Sequence, residues 1–131
     1  MKFDASAPIY LQILKNFKQQ CASGDVKDGD ELPSRRALSA QLGVNPNTIQ
    51  KAYKLLEEEG LIVSRGGAKS TVTLNAGQLA AVREELMSGE IKDAVNALRA
   101  GGATKQEALE IFGRVWDEVS ETEGTDAAAA R

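Results

Sequence analysis

Between Ser34 and Leu56 the sequence starts a helix, stops it and starts another, and these signals constrain the fold more than anything else in the chain. Leu32-Pro33-Ser34 delivers a hydroxyl N-cap, and Leu38 and Leu42 then fall on one face of a short helix predicted over residues 35–42. Gly43 offers the left-handed conformation that stops it, and Val44 is expected to pack inward. Asn45-Pro46 opens the next helix with an amide cap and a proline whose missing N–H would be unbonded at that position anyway. In this helix, predicted over 46–59, Ile49, Ala52, Tyr53 and Leu56 recur at i, i+3, i+4 and i+7 and form one buried stripe, leaving Asn47, Thr48, Gln50, Lys51 and Lys54 outside it. Two capped helices joined by so tight a turn make a helix-turn-helix.

The flanks extend the pattern. Ile9, Ile13, Phe17 and Cys21, with Tyr10 and Leu14 beside them, have helical spacing over residues 8–22, with Pro8 suited to the first helical position and Gly24 to the end. Val26-Lys27-Asp28-Gly29-Asp30 is turn chemistry. After Glu57-Glu58-Glu59-Gly60, residues 61–65 and 70–74 read as short strands joined through Gly66-Gly67-Ala68-Lys69. Three helices followed by a hairpin is the order of a winged helix, so the fold class is mainly α with a small β-hairpin, and residues 1–75 form one domain.

Beyond Gly77 the periodicity is purely helical. Leu79, Val82 and Leu86 lie on one stripe and Met87, Ile91, Val95 and Leu98 on another, so two helices or one kinked helix are expected, with the change near Ser88-Gly89. Gly101-Gly102 closes this segment. Thr104-Lys105-Gln106-Glu107 has capping-box spacing, and a last helix over 105–121 carries Ala108, Leu109, Phe112, Val115, Trp116 and Val119. Residues 122–131 read as a disordered tail.

Composition narrows the chemistry. The chain has 131 residues, 16 Lys+Arg, 19 Asp+Glu, one Cys and no His. Imidazole-ligated metals, Ser-His or Cys-His nucleophiles and histidine switches are thereby excluded, and no metal or cofactor is expected. The acidic residues fall on outer helix faces and read as solvated charges, so no enzyme pocket is expected. No apolar run approaches the roughly 18 residues of a membrane span, and the amino end lacks a signal-peptide pattern, so a cytoplasmic protein without a membrane partner is expected. Charge is unevenly divided: residues 1–75 hold 10 basic and 8 acidic side chains, residues 76–131 hold 6 and 11. A net charge of −3 argues against indiscriminate nucleic-acid binding but leaves room for a local basic face on the first part.

The outward face of the third helix fits reading of double-stranded DNA. Asn47 and Gln50 can pair with base edges in the major groove, Lys51 and Lys54 add cationic reach, and N–H groups at the helix start can meet phosphate. Ser34, Arg35 and Arg36 begin the preceding helix, and Arg65, Gly66, Gly67 and Lys69 form a hairpin tip suited to gripping backbone or minor groove.

In Pro8-Ile9-Tyr10-Leu11-Gln12-Ile13, in Gly29-Asp30-Glu31-Leu32-Pro33-Ser34-Arg35-Arg36, from Leu42-Gly43-Val44 through Ala52-Tyr53, and in Leu56-Glu57-Glu58-Glu59-Gly60-Leu61-Ile62, the sequence resembles the GntR family of bacterial transcription regulators. The resemblance implies a DNA contact by Arg36, and base and phosphate contacts by Asn45, Pro46, Asn47, Thr48 and Gln50. Pro46 stands where some members carry a basic side chain, and the wing departs from the usual Gly-Lys-Gly-Thr-Phe-Val style. The segment after residue 75 is too short for the large effector domains of most branches and resembles the short YtrA-type tail, which implies a homodimer and a repressor; a dimer in turn predicts a palindromic or near-palindromic operator with half-sites one turn or more apart.

Physical reasoning agrees with the dimer, because so short a segment cannot cover Leu79, Val82, Leu86, Ile91, Val95, Leu98, Leu109, Phe112, Val115, Trp116 and Val119 alone. The competing expectation is a monomer in which those helices pack on the winged domain. A small-molecule effector between subunits is compatible with the tail and is not identifiable from it. The alternative to DNA reading is a winged helix used as a protein-interaction module, in which Arg36, Asn47 and Gln50 could become alanine without loss of DNA affinity.

Overall fold

The computed structural model describes the chain apart from residues 67, 68, 130 and 131, and the side chains of 123–129 also lie outside the description. Its elements, in order, are α1 (Ile9–Ser23), β1 (Glu31–Leu32), α2 (Arg35–Leu42), α3 (Pro46–Glu58), β2 (Ile62–Ser64), β3 (Ser70–Val72), α4 (Ala76–Ala100) and α5 (Lys105–Ala129). Two compact units divide the chain between Ser88 and Gly89, later than the expected boundary after residue 75.

In the first unit α3 is the central element, packed against α1, α2 and β2. The core consists of Ile13, Phe17 and Cys21 from α1, the stripe Ile49, Ala52, Tyr53 and Leu56 from α3, and Leu61, Ile62, Val72 and Val82. The short helices are held by the signals their sequences carry. Ser34 Oγ accepts from the Ala37 N–H at 3.0 Å, and Gly43 stops α2 in the left-handed region at φ 66°. Asn45 Oδ1 accepts from the Asn47 N–H at 2.8 Å, and Pro46 is the first residue of α3. Each cap contributes about 1 kcal/mol by satisfying a donor that the helix cannot. Pro8 caps α1 from outside instead of being its first residue.

The sheet is three-stranded and antiparallel in the order β1-β3-β2, one strand more than the expected hairpin. Glu31 pairs with Thr71 and Leu32 with Ser70, while Ile62, Val63 and Ser64 pair with Val72, Thr71 and Ser70. The additional strand follows a tight turn in which Asp30 Oδ2 accepts from the Lys27 N–H at 2.8 Å. The Gly29 N–H then donates to the Val72 carbonyl at 2.8 Å, with Gly29 at φ 87°. Pro33 has no N–H to continue the ladder.

The segment expected to be two helices or a kinked one is a single helix, α4. It starts at a reciprocal cap in which the Gln78 N–H donates to Asn75 Oδ1 and the Asn75 N–H to Gln78 Oε1, both at 2.8 Å. Val82 is buried in the core of the winged unit and Leu86 packs against it, while Leu79 is half-buried. These three residues were expected at a dimer interface. Instead the first turns of α4 close the winged unit, and beyond Ser88 the apolar side chains Ile91, Val95 and Leu98 of the same helix are exposed.

In the second unit, α5 opens with the expected capping box, the Glu107 N–H donating to Thr104 Oγ1 at 3.2 Å and the Thr104 N–H to Glu107 Oε1 at 2.9 Å. The helix continues to Ala129, past Thr122 where the disordered tail was expected. Its closing stretch holds three of the four terminal alanines, the best helix formers, and no proline.

Candidate nucleic-acid interface

The exposed face of α3 is built by subtraction. Ile49, Ala52, Tyr53 and Leu56 are at most 2% exposed. A helix anchored so completely on one side must present Asn47, Gln50, Lys51 and Lys54, at i, i+3, i+4 and i+7, on the other, and all four are exposed. Asn45 and Pro46 are also exposed, whereas Thr48 is half-buried. Lys51 leans toward α1, its Nζ lying 4.1 Å from the centroid of the Tyr10 ring. Such a cation–π contact holds the ammonium near the surface at a cost in reach.

Arg36 is exposed at the start of α2, but its neighbour Arg35 is turned into the unit. The Arg35 guanidinium donates to Glu57 Oε1 at 3.0 Å and lies over the Tyr53 ring, 5.2 Å from its centroid. Its side chain is 24% exposed and its Nε is sealed away without a hydrogen-bond partner. Arg35 was expected to face DNA; its planar cation is instead used to bind α2 to α3. Tyr53 completes the joint, donating its hydroxyl to the Pro33 carbonyl at 2.7 Å. Burial pushes the Tyr53 phenol above its ordinary value, with the Arg35 charge opposing, so the hydroxyl stays protonated and keeps donating.

The wing is the β2–β3 hairpin. Arg65, Gly66 and Lys69 are exposed, and the Arg65 N–H donates to the Lys69 carbonyl at 3.0 Å. Gly66 adopts φ 44°, a conformation that a side chain would strain. Lys69 Nζ is 3.4 Å from Glu31 Oε1, both side chains being well exposed, so the pair is weak and competes with water. Gly67, another of the expected wing residues, lies outside the described residues.

The acidic run 57–59 was expected to be solvated charge, and the structure assigns two of its members to joints. Glu57 accepts from Arg35 and from the Ser64 hydroxyl, and Glu59 accepts from Lys18 Nζ at 2.9 Å. Lys18 itself was not singled out by sequence reasoning; its place three residues before Cys21 and four after Leu14 on the buried stripe of α1 was the available signal. Among the described residues there is no group of three His, Cys, Asp or Glu side chains able to hold a metal, and no helix long and apolar enough to cross a membrane.

The second unit carries the opposite character. Ile91, Val95 and Leu98 on α4, and Leu109, Phe112, Val115, Trp116 and Val119 on α5, are all exposed in the single chain, Trp116 at 64%. Phe112 and Trp116 lie one turn apart, with ring centroids 5.9 Å apart and planes tilted by 34°.

Compared with known proteins, residues 9–72, from the first residue of α1 to the last of β3, match the family described as bacterial regulatory proteins, gntR family. The HTH-type transcriptional repressor YtrA of Bacillus subtilis (strain 168) is 41% identical over 88 residues, covering 63% of this chain and 68% of that protein. Among solved structures, a GntR family transcriptional regulator from Listeria monocytogenes matches with a TM-score of 0.74 at 28% identity, over 86% of this chain and 98% of that one. The DNA-binding domain of AraR in complex with operator ORX1 matches with a TM-score of 0.51 at 26% identity, over 55% of this chain and 93% of that one.

Proposed function

The chain belongs to the GntR family of bacterial regulatory proteins, as a DNA-binding transcription regulator of the short YtrA-like kind, and from that premise we propose that it is a homodimeric repressor of a palindromic operator. The observation that carries the reading is the division of α3 into a fully buried stripe and an exposed polar face. Asn47 and Gln50 on that face are the groups that read base edges, with Asn45, Pro46 and Thr48 at the helix start near the phosphates. Arg36 and Lys54 flank them, Lys51 adds charge from beside Tyr10, and Ser34 holds the start of α2. Arg65, Gly66 and Lys69 form the wing contact. Arg35 belongs to the support of this face.

Dimerisation is supported by the exposed stripe of α4 and α5. Each large apolar side chain taken fully out of water there contributes roughly 1.5–3 kcal/mol, and a second copy presents the same stripe. Two copies related by a two-fold axis carry two recognition helices, and such a pair reads an inverted repeat with half-sites about one helical turn, or a multiple, apart. The name of YtrA as a repressor supports the sign of regulation.

The test is a titration of the purified protein onto labelled DNA from upstream of its own gene, with shuffled competitor, at two salt concentrations. Binding that resists the competitor and weakens with salt is expected. Equal, weak affinity for this DNA and for a selected random library would contradict sequence-specific recognition.

A further inference from the structure

Glu57 Oε1 is a meeting point of three elements. It accepts from Arg35 Nη2 at 3.0 Å and from the Ser64 hydroxyl, and Ser64 Oγ is in turn 3.4 Å from Ser70 Oγ. Arg35 is the first residue of α2, Ser64 the last of β2 and Ser70 the first of β3. Ser64 and Ser70 are also register partners, so they form the base of the wing. The three residues gathered around Glu57 are each the chain neighbour of an exposed cation on the proposed DNA face: Arg35 of Arg36, Ser64 of Arg65, and Ser70 of Lys69.

We propose that Glu57 is a positioning residue for DNA recognition, whose single carboxylate oxygen fixes the start of α2 and the base of the wing in one frame, so that Arg36, Arg65 and Lys69 meet phosphates together. The claim rests on the DNA-binding reading of this face and adds a residue that would touch no DNA itself. Three features make Glu57 suited to the task. It lies one turn after Tyr53, so the ring that supports the Arg35 guanidinium and the carboxylate that pairs with it come from one face of α3. Its oxygen accepts from a guanidinium, and such a charge-assisted hydrogen bond is stronger than one between neutral groups. Its charge is offset by Arg35, so it does not oppose the approach of phosphate as a bare carboxylate would.

The test compares Glu57→Ala, Glu57→Gln and Ser64→Ala in the full chain, by anisotropy on operator DNA across a salt series, with circular dichroism melting of each variant. Glu57→Ala is expected to weaken specific binding about tenfold, and to make the dependence of log K on log salt shallower by about one or two phosphate contacts per chain. Glu57→Gln, which keeps an acceptor oxygen for both partners, is expected to recover most of the loss. Loss of folded protein alone would lower the active concentration and leave the salt slope unchanged, so the slope separates positioning from stability. Ser64→Ala removes only the tie to the wing and is expected to flatten the slope by about one contact with little change in melting. The proposal is overturned if folded Glu57→Ala and Ser64→Ala bind with the affinity and slope of the unsubstituted protein. Failure of the unsubstituted protein to bind any DNA specifically would overturn the DNA reading itself, and this claim with it.

Discussion

Lys18 Nζ donates to the carboxylate of Glu85 at 2.8 Å, tying α1 to α4, while also reaching Glu59 at 2.9 Å. The lysine side chain is 5% exposed and its partners are about half in water. The cation is therefore the member that depends on the others. Deleting the lysine releases two carboxylates to solvent, whereas deleting both carboxylates strands a buried ammonium.

From this asymmetry, Lys18→Met is expected to cost about 1–2 kcal/mol of unfolding free energy, and the double variant Glu59→Gln/Glu85→Gln about 2–4 kcal/mol. Urea unfolding checks the order. A larger loss in Lys18→Met than in the double variant would contradict it.

The same cluster sets a pH dependence. Burial alone would lower the Lys18 pKa, but the hydrogen bonds and charges of Glu85 and Glu59 outweigh it and hold it above the ordinary lysine value of 10.5. A group whose folded pKa is raised contributes fully below its unfolded value and loses that contribution as pH climbs through the folded value. The contribution of this group to the melting temperature should therefore be full and constant from neutral pH up to the ordinary lysine range, and should be lost above it. The alkaline fall should be smaller in Lys18→Met.

On the proposed DNA face, Asn47→Ala and Gln50→Ala are each expected to cost about 1–3 kcal/mol on the operator and to relax preference at one base position. Arg36→Ala is expected to weaken specific and nonspecific DNA alike and to lower the salt slope by about one. Competition binding against operator variants reads both patterns. Unchanged affinity in all three variants would favour a winged helix that serves as a protein-interaction module.

In the second unit, Trp116→Glu or Phe112→Glu places a charge in the exposed apolar stripe. Either is expected to move the protein from dimer to monomer in sedimentation at micromolar concentration, with the α-helical signal of the winged unit kept. A dimer that survives both substitutions would assign the stripe to another partner.

Cys21 is 2% exposed, and burial pushes its thiol above the ordinary value, so the nucleophilic thiolate is scarce. Labelling by a thiol reagent at neutral pH is expected to be at least about a hundredfold slower in the native protein than in urea, because it must wait for opening of the core. Equal rates would show that α1 does not hold its place over α3.

Local signals were legible where they act within a few residues. The bounds of α2 follow from Ser34 and Gly43, and the start of α3 from Asn45-Pro46, because a cap or a left-handed glycine is a short-range device. The stripe of α3 was legible for the same reason, and with it the face proposed to read DNA. The strand β1 was not legible, since two residues carry no alternation and its pairing with β3 lies far along the chain. Nor was the inward turn of Arg35 legible, because Tyr53 and Glu57 reach it only after α2 and α3 have packed. The continuity of α4 was hidden by its change of stripe: Val82 and Leu86 face the core of the winged unit, Ile91, Val95 and Leu98 are exposed, and periodicity alone reads the change as a break.

Two copies of this chain are proposed to hold one inverted repeat. Hydroxyl-radical footprinting of the protein on its operator, combined with the mass of the complex, tests it most directly. Two protected patches related by a two-fold axis, one helical turn or a multiple apart, with two chains per duplex, are the predicted result. A single unsymmetric patch with one chain per duplex, or no sequence-dependent protection, would contradict it.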